Sequence, residues 1–282
     1  MTPATSSSKP FPYTPFLWYG LALAAAYWSV LNAMAYQWQS DDNMGHGFFV
    51  PLIAGFIIWE RREEWLNAAE RSRWGLLFVA WGMLQLWLGT LGVELFLQRT
   101  SFLIVVFGLV LFYGGRKVVR ILGLPLFLLL FMVPIPGIAY KQITFPLQLL
   151  ASGLAESVLD LLGYMVIRDG NVLELAGQTL SVVEACSGLR ALHSLAFFSL
   201  SYAYLFDSRP WVRWFLLACA VPVAIVANMS RVVMTGVVGE RNPELAQGVY
   251  HTLSGWILFV IAIALLAGIH QLTTIGRRRP QP

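Results

Sequence analysis

The feature that most constrains this chain is its succession of long apolar stretches. The longest, Trp211 to Val237, holds Arg213 and Arg231 as its only charged residues. An α-helix rises about 1.5 Å per residue, so about 20 apolar residues cross the roughly 30 Å hydrocarbon layer of a bilayer. The sequence reads as eight spans, at Phe16–Gln37, Gly47–Trp59, Gly75–Gly92, Ser101–Tyr113, Ile121–Ile138, Ser187–Phe206, Trp211–Val237 and Thr252–Leu272. The second and fourth are short and borrow flanking residues, Asp42–His46 and Glu94–Thr100. With 57% hydrophobic and 12% charged residues in 282 positions, lipid and not water is the solvent this composition expects. The expected fold is an all-α polytopic membrane protein forming one unit over 1–282. A polar tail (1–15) precedes the first helix, which is long enough to stay in the membrane, and a basic tail (273–282) closes the chain.

The basic residues give the spans a direction. Lys9, Arg61, Arg62, Arg71, Arg73, Arg116, Lys117, Arg120, Arg209, Arg213 and Arg277 to Arg279 all fall in the tails and even-numbered loops, thirteen of the nineteen Lys and Arg. Cytoplasmic loops collect Lys and Arg, so both termini are expected on the cytoplasmic side. The sequence pI near 9.2 therefore reflects topology, and nucleic acid is not an expected partner. This parity breaks if Phe145–Leu162 crosses the bilayer. That stretch, interrupted by Gln148, Glu156 and Asp160, is therefore expected as an amphipathic helix lying on the outer interface. After it, Asp169-Gly170 between two apolar runs predicts a tight β-hairpin over Met165–Leu175, with Thr179–Val183 as a third strand. An outer cap over 139–185 thus leads into the sixth span.

On this parity three reactive side chains converge on the outer side. Cys186 sits in Val183-Glu184-Ala185-Cys186-Ser187-Gly188-Leu189-Arg190 at the mouth of the sixth span. Arg231 lies about 10 Å inside the outer end of the seventh, with Asn228 three residues earlier on the same face. His251 opens the eighth. A free thiol has a pKa of about 8.5, so a nucleophilic thiolate needs a positive partner, which a helix N-terminus and an imidazolium supply. Arg231 stays charged and cannot be a base, but it suits the oxyanion of a tetrahedral intermediate. Cys186, Arg231 and His251 together make an acyl-transfer site. Glu184, Ser187, Gly188, Arg190, Asn228 and His46 are candidates to contact substrate or orient the three. The structural alternatives are packing for Cys186, a charge paired with Glu184 or Glu240 for Arg231, and an interfacial histidine for His251. Cys219 and His193 read as packing, the latter also as a group bonded to the site, and His270 lies at the cytoplasmic end, away from it. The two cysteines suggest no disulfide framework, and no metal or cofactor motif is present.

Glu184-Ala185-Cys186-Ser187-Gly188-Leu189-Arg190, followed by Asn228-x-x-Arg231 and by His251 with Gly255-Trp256, resembles the exosortase/archaeosortase family. His46-Gly47-Phe48-Phe49-Val50-Pro51 and Val133-Pro134-Ile135-Pro136 are similar to two further motifs of that family. The resemblance implies a cysteine transpeptidase of the bacterial inner membrane that needs no cofactor. Its partners would be exported proteins bearing a C-terminal sorting tail, built from a short motif such as Pro-Glu-Pro, a transmembrane helix and a basic cluster, together with membrane lipid. It also implies that Cys186 is the nucleophile, Arg231 the transition-state stabiliser and His251 the acid/base. A membrane cysteine hydrolase with water as acceptor, a transporter and a non-catalytic subunit of an export system are the competing classes. A transporter would show internal repeats and a second deep charge, and neither is visible here.

Overall fold

A computed structural model describes residues 13–182, 189–242 and 249–274. The described chain is mainly helical: α1 (Tyr13–Ala26), α2 (Trp28–Ser40), α3 (Phe49–Glu60), α4 (Arg62–Asn67), α5 (Trp74–Leu91), α6 (Leu95–Ile121), α7 (Gly123–Leu128), α8 (Gly137–Leu161), α9 (Leu189–Phe206), α10 (Pro210–Arg241) and α11 (Val249–Thr274). Short 3-10 turns at Asp42–Phe48 and Leu129–Met132 precede α3 and follow α7. Between α8 and α9 stands an antiparallel sheet of β1 (Val166–Asp169), β2 (Val172–Leu175) and β3 (Gln178–Ser181).

Four described helices are long and apolar enough to cross a membrane: Trp74–Leu91, Leu95–Ile121, Pro210–Glu240 and Leu253–Thr274. A fifth arises if Gly123–Met132 and Gly137–Leu161, bent by 89°, form one broken span. The remaining stretches read as spans are shorter or divided. The first is broken at Tyr27, whose ring is buried and whose hydroxyl accepts from Ser101 Oγ at 3.2 Å. The second is a 12-residue helix entered through a 3-10 turn. The fourth is longer than its apolar run, because Glu94 caps it by accepting from Leu97 N at 2.7 Å and it continues through a kink at Gly115 to Ile121.

The α5–α6 pair illustrates packing where lipid supplies no hydrophobic contrast. Gly75, Gly82 and Gly89 recur every seventh residue along one face of α5. They meet Gly108 and Phe112, Val105, and Gln98 of α6 in turn, so closely that a Cβ at Gly75 would overlap the backbone of Gly108 and Phe112. Small residues of this kind let two backbones approach and gain dispersion contact. A second unit packs α9, α10 and α11 through Leu195, Ala220, Ala224, Ala262 and Leu266. On the outer faces of α3, α5 and α10, Trp59, Trp74, Trp211 and Trp214 are exposed, and Arg62 and Arg209 stack over Trp59 and Trp211 at 4.7 and 5.3 Å. Aromatic rings beside basic groups are characteristic of a membrane–water boundary.

The helix expected over Phe145–Leu162 forms as the C-terminal part of α8. Helix α8 starts earlier, at Gly137, and its buried face carries Thr144, Gln148 and Ser152 beside Ala151, Ala155 and Leu159. Its exposed residues include the apolar Ile143, Phe145, Leu150 and Leu154 and, toward the two ends, Lys141, Gln142, Ser157 and Asp160. The inward polar groups are used by the sheet: Ser152 Oγ donates to Gly170 O at 3.0 Å, and Asn171 Nδ2 lies 3.4 Å from Gln148 Oε1. The hairpin itself forms as expected, with Asp169 opposite Val172 and a left-handed Gly170 (φ +61°) in the two-residue turn. The third strand is Gln178–Ser181, one residue earlier than read, and Val183 lies outside the described residues.

Candidate functional site

The site is framed by the C-terminal half of α10. This helix begins with Pro210 at its first turn, where a missing N–H costs nothing, and runs 32 residues. Asn228, Arg231 and Thr235 share one face. Asn228 is 6% exposed, and Thr235 Oγ1 donates back to Arg231 O at 2.9 Å. The Arg231 guanidinium lies flat against Gly255 of α11, where an added Cβ would stand 3.1 Å from Nη2 and 3.2 Å from Cζ. Glycine at 255 therefore makes room for the guanidinium. His251 lies four residues earlier on α11, on the same helical face as Gly255. Glu240, one of the two carboxylates considered for a structural pair, has its Oε2 buried without a hydrogen-bond partner among the described residues, so that oxygen does not bond Arg231. Of the other candidates, Arg190 belongs to the first turn of α9, whereas Glu184, Cys186, Ser187 and Gly188 lie outside the described residues.

The sheet caps this end of α10. Gln178 Nε2 donates to Gly236 O at 2.8 Å, five residues or about 7.5 Å along the helix from Arg231. Leu173, Leu175 and Val182 close a core with Ala151, Ala155 and Leu159 of α8 and with Val232, Val233 and Val237 of α10. The chain leaves β3 through Val182, four residues before Cys186, and resumes in α9 at Leu189.

His46 is 5% exposed and forms a buried junction behind the site. Its Nε2 lies 3.1 Å from Phe131 O, an oxygen that can only accept, so Nε2 carries the proton. Nδ1 then accepts from Ser194 Oγ of α9 at 3.2 Å. The His193 ring meets His46 edge-on at 4.6 Å and stacks on Phe131 at 5.3 Å. Trp38 Nε1 donates to the next carbonyl, Met132 O, at 2.9 Å. These carbonyls are open because the 3-10 turn ends there and Pro134 and Pro136 bring no N–H to extend it. The two motifs around His46 and Pro134 thus meet in space. Both ring nitrogens of His46 are hydrogen-bonded and His193 is packed between the His46 and Phe131 rings, so the pair holds α9 by its first turns.

At the opposite end of the α9–α10–α11 unit is a cluster that sequence reading passed over. Asp207 accepts from Arg209 N at 2.8 Å and from Arg209 Nε and Nη2. His270 Nε2 lies 3.0 Å from Asp207 Oδ2, and its Nδ1 lies 3.1 Å from Tyr202 OH. Arg209 Nη1 reaches Thr273 O at 3.3 Å. The Arg209 guanidinium holds the Asp207 carboxyl well below the usual carboxylate range, with burial opposing it. His270, set aside in the sequence, ties the end of α11 to the α9–α10 turn. Arg61 and Arg213 lie over the Tyr204 ring at this same end, so the basic loops and the Arg231 site occupy opposite ends of the bundle.

No curated protein and no solved structure matches the chain. A family model described as transmembrane exosortase matches residues 38–268, which include both motifs around His46 and Pro134, the cap and all three candidate catalytic positions. The chain is a multi-pass membrane protein belonging to the transmembrane exosortase family.

Proposed function

We propose that the protein is a membrane cysteine transpeptidase that cuts the C-terminal sorting tail from exported proteins and transfers them to an acceptor. The observation that carries this reading is the Arg231 guanidinium seated on Gly255, one helical turn from His251. This seat stands beside a cap whose last strand leads to Cys186, in a chain of this family. Cys186 gives its proton to His251, and the thiolate attacks the scissile carbonyl. Arg231 neutralises the oxyanion, a contribution of roughly 2.7–4 kcal/mol for one donor in known enzymes. The intermediate collapses, the amine of the departing tail takes the proton from His251, and a thioester on Cys186 remains. An acceptor nucleophile, deprotonated by His251, then displaces the thiol. The Pro-Glu-Pro type of tail with its transmembrane helix and basic cluster fits an enzyme of eight spans whose termini are cytoplasmic and whose site faces outward in the bacterial inner membrane.

The test is co-expression with an exported protein carrying such a tail, followed by intact-mass measurement of its new C-terminus. A mass increment above the cut chain identifies the acceptor, and a free carboxylate identifies hydrolysis. An unchanged substrate mass at normal enzyme abundance overturns the reading. For topology, a reporter after Pro282 should be cytoplasmic and one within 242–247 external.

A further inference from the structure

The described chain stops four residues short of Cys186, at Val182, and Val182 is unusually well held. Its N–H donates to Asn171 O at 2.8 Å, extending the β2–β3 ladder one residue past the Val172–Ser181 pair. Its carbonyl accepts from the Asn171 side chain, Nδ2, at 2.9 Å. Val182 is 1% exposed, so without that amide its carbonyl would be a buried acceptor lacking this bond. The turn that presents Asn171 is itself gripped from α8, by Ser152 Oγ on Gly170 O at 3.0 Å and by Gln148 Oε1 near Asn171 Nδ2 at 3.4 Å. Arg168 Nη1 adds a third bond, to Gly170 O at 3.2 Å. Ser152 and Gln148 are buried on the polar inward face of α8, the face the sequence pattern leaves unexplained.

The same α8 packs Ala151, Ala155 and Leu159 with Val232 and Val233, the two residues that follow Arg231. One helix therefore carries both the frame of Arg231 and, through Ser152, Gly170 and Asn171, the anchor from which the chain departs toward Cys186. We propose that Asn171 is a positioning residue for the transfer reaction, acting through its clamp on Val182 to set the nucleophile segment against Arg231. The proposal rests on Cys186 being the nucleophile. The cap thereby acquires a mechanical role, since a hairpin turn held on α8 fixes where the sheet hands over to the reactive loop. A misplacement of about 1 Å at a reacting group costs up to about a hundredfold in rate, which makes such an anchor consequential.

The test uses the full chain with Cys219→Ser, which leaves Cys186 as the single thiol. Asn171→Leu keeps approximately the same shape and removes the amide donor without adding charge. Two quantities are read in membranes: the pH profile of Cys186 alkylation by iodoacetamide, which needs no substrate, and kcat and KM for processing a tail-bearing protein. The expected result for Asn171→Leu is an alkylation midpoint moved away from that of the parent and a kcat lower by about ten- to a hundredfold with KM little changed. Thr179→Ala, on the exposed side of β3, should match the parent in both. Should Asn171→Leu fail to accumulate, Ser152→Ala breaks the clamp one step upstream and should shift the profile in the same direction by less. A parent-like alkylation profile and kcat in the variant that accumulates overturns the proposal. Processing that survives Cys186→Ser overturns the catalytic reading itself, an outcome separable from the first.

Discussion

The two ends of the α9–α10–α11 unit are built from similar residues to opposite purposes. At the basic end, Asp207, Arg209, His270, Tyr202 and Thr273 saturate one another over distances of up to 68 positions in sequence. At the other end, Arg231 sits on a bare glycine, and the groups around it arrive on separate elements: α10, α11, the sheet and the chain on either side of 183–188. A closed polar network fixes helix positions and presents no group to a substrate. Around Arg231 the alignment comes from several elements, α8 and the cap among them. Helix positions are thereby fixed at the basic end by one closed network and at the Arg231 end by packing between separate elements.

This contrast fails first at the chemical end if it is wrong. Cys186→Ser should abolish processing, and Arg231→Lys, which keeps charge but loses the planar fork, should cost on the order of 10²-fold or more in turnover. Both should leave the abundance of membrane-inserted protein unchanged, as read by blotting of membrane fractions. Near-normal turnover in Arg231→Lys would return Arg231 to a structural role. Gly255→Ala should come next, with roughly a tenfold loss. Its Cβ would crowd Nη2 and Cζ, but the end of an arginine can shift by a few tenths of an ångström, so the effect stays below that of Arg231→Lys.

At the closed end the signs reverse. Asp207→Asn should lower the thermal midpoint of the detergent-solubilised protein, because it leaves the Arg209 and His270 bonds without their charged acceptor, while turnover per folded molecule is retained. The pH dependence follows from the direction of the Asp207 shift. Its folded pKa lies below the unfolded value of about 4, so its stabilisation is fully present above that value and is lost as pH falls through the folded one. Thermal midpoints measured from pH 6 downward should decline less in Asp207→Asn than in wild type. The smallest effect belongs to Lys117, whose 2.8 Å pair with Glu70 is largely exposed on both partners. Lys117→Ala should change stability by at most about 1 kcal/mol, and less at high salt.

Arg231 stands out in the sequence because an arginine in an apolar helix carries an insertion cost that a function or a partner must offset. The hairpin was legible from Asp169-Gly170, since turn chemistry is local. Helix α8 was legible as an amphipathic stretch but its partner was not: Gln148 and Ser152 turn inward to a sheet that packing alone brings there. The break at Tyr27 was hidden for a similar reason, since the ring is drawn into a core assembled with Phe102 and Ser101 of α6. His270 and Asp207, 63 positions apart, carry no shared motif and meet only through helix packing. Asn171 follows the Asp169-Gly170 signal in the turn, but the bond from its side chain to Val182 is tertiary and has no local sequence mark.

The central claim is that Cys186 becomes acylated by the exported substrate. Membranes containing the enzyme and a tail-bearing protein can be quenched in acid during turnover and the enzyme's intact mass read before and after hydroxylamine. The account predicts a species heavier by the tail-cleaved substrate, mapped to Cys186, removed by hydroxylamine as a thioester must be, and absent from Cys186→Ser. Product formed with no such species, or an adduct at Cys219 in its place, would contradict it.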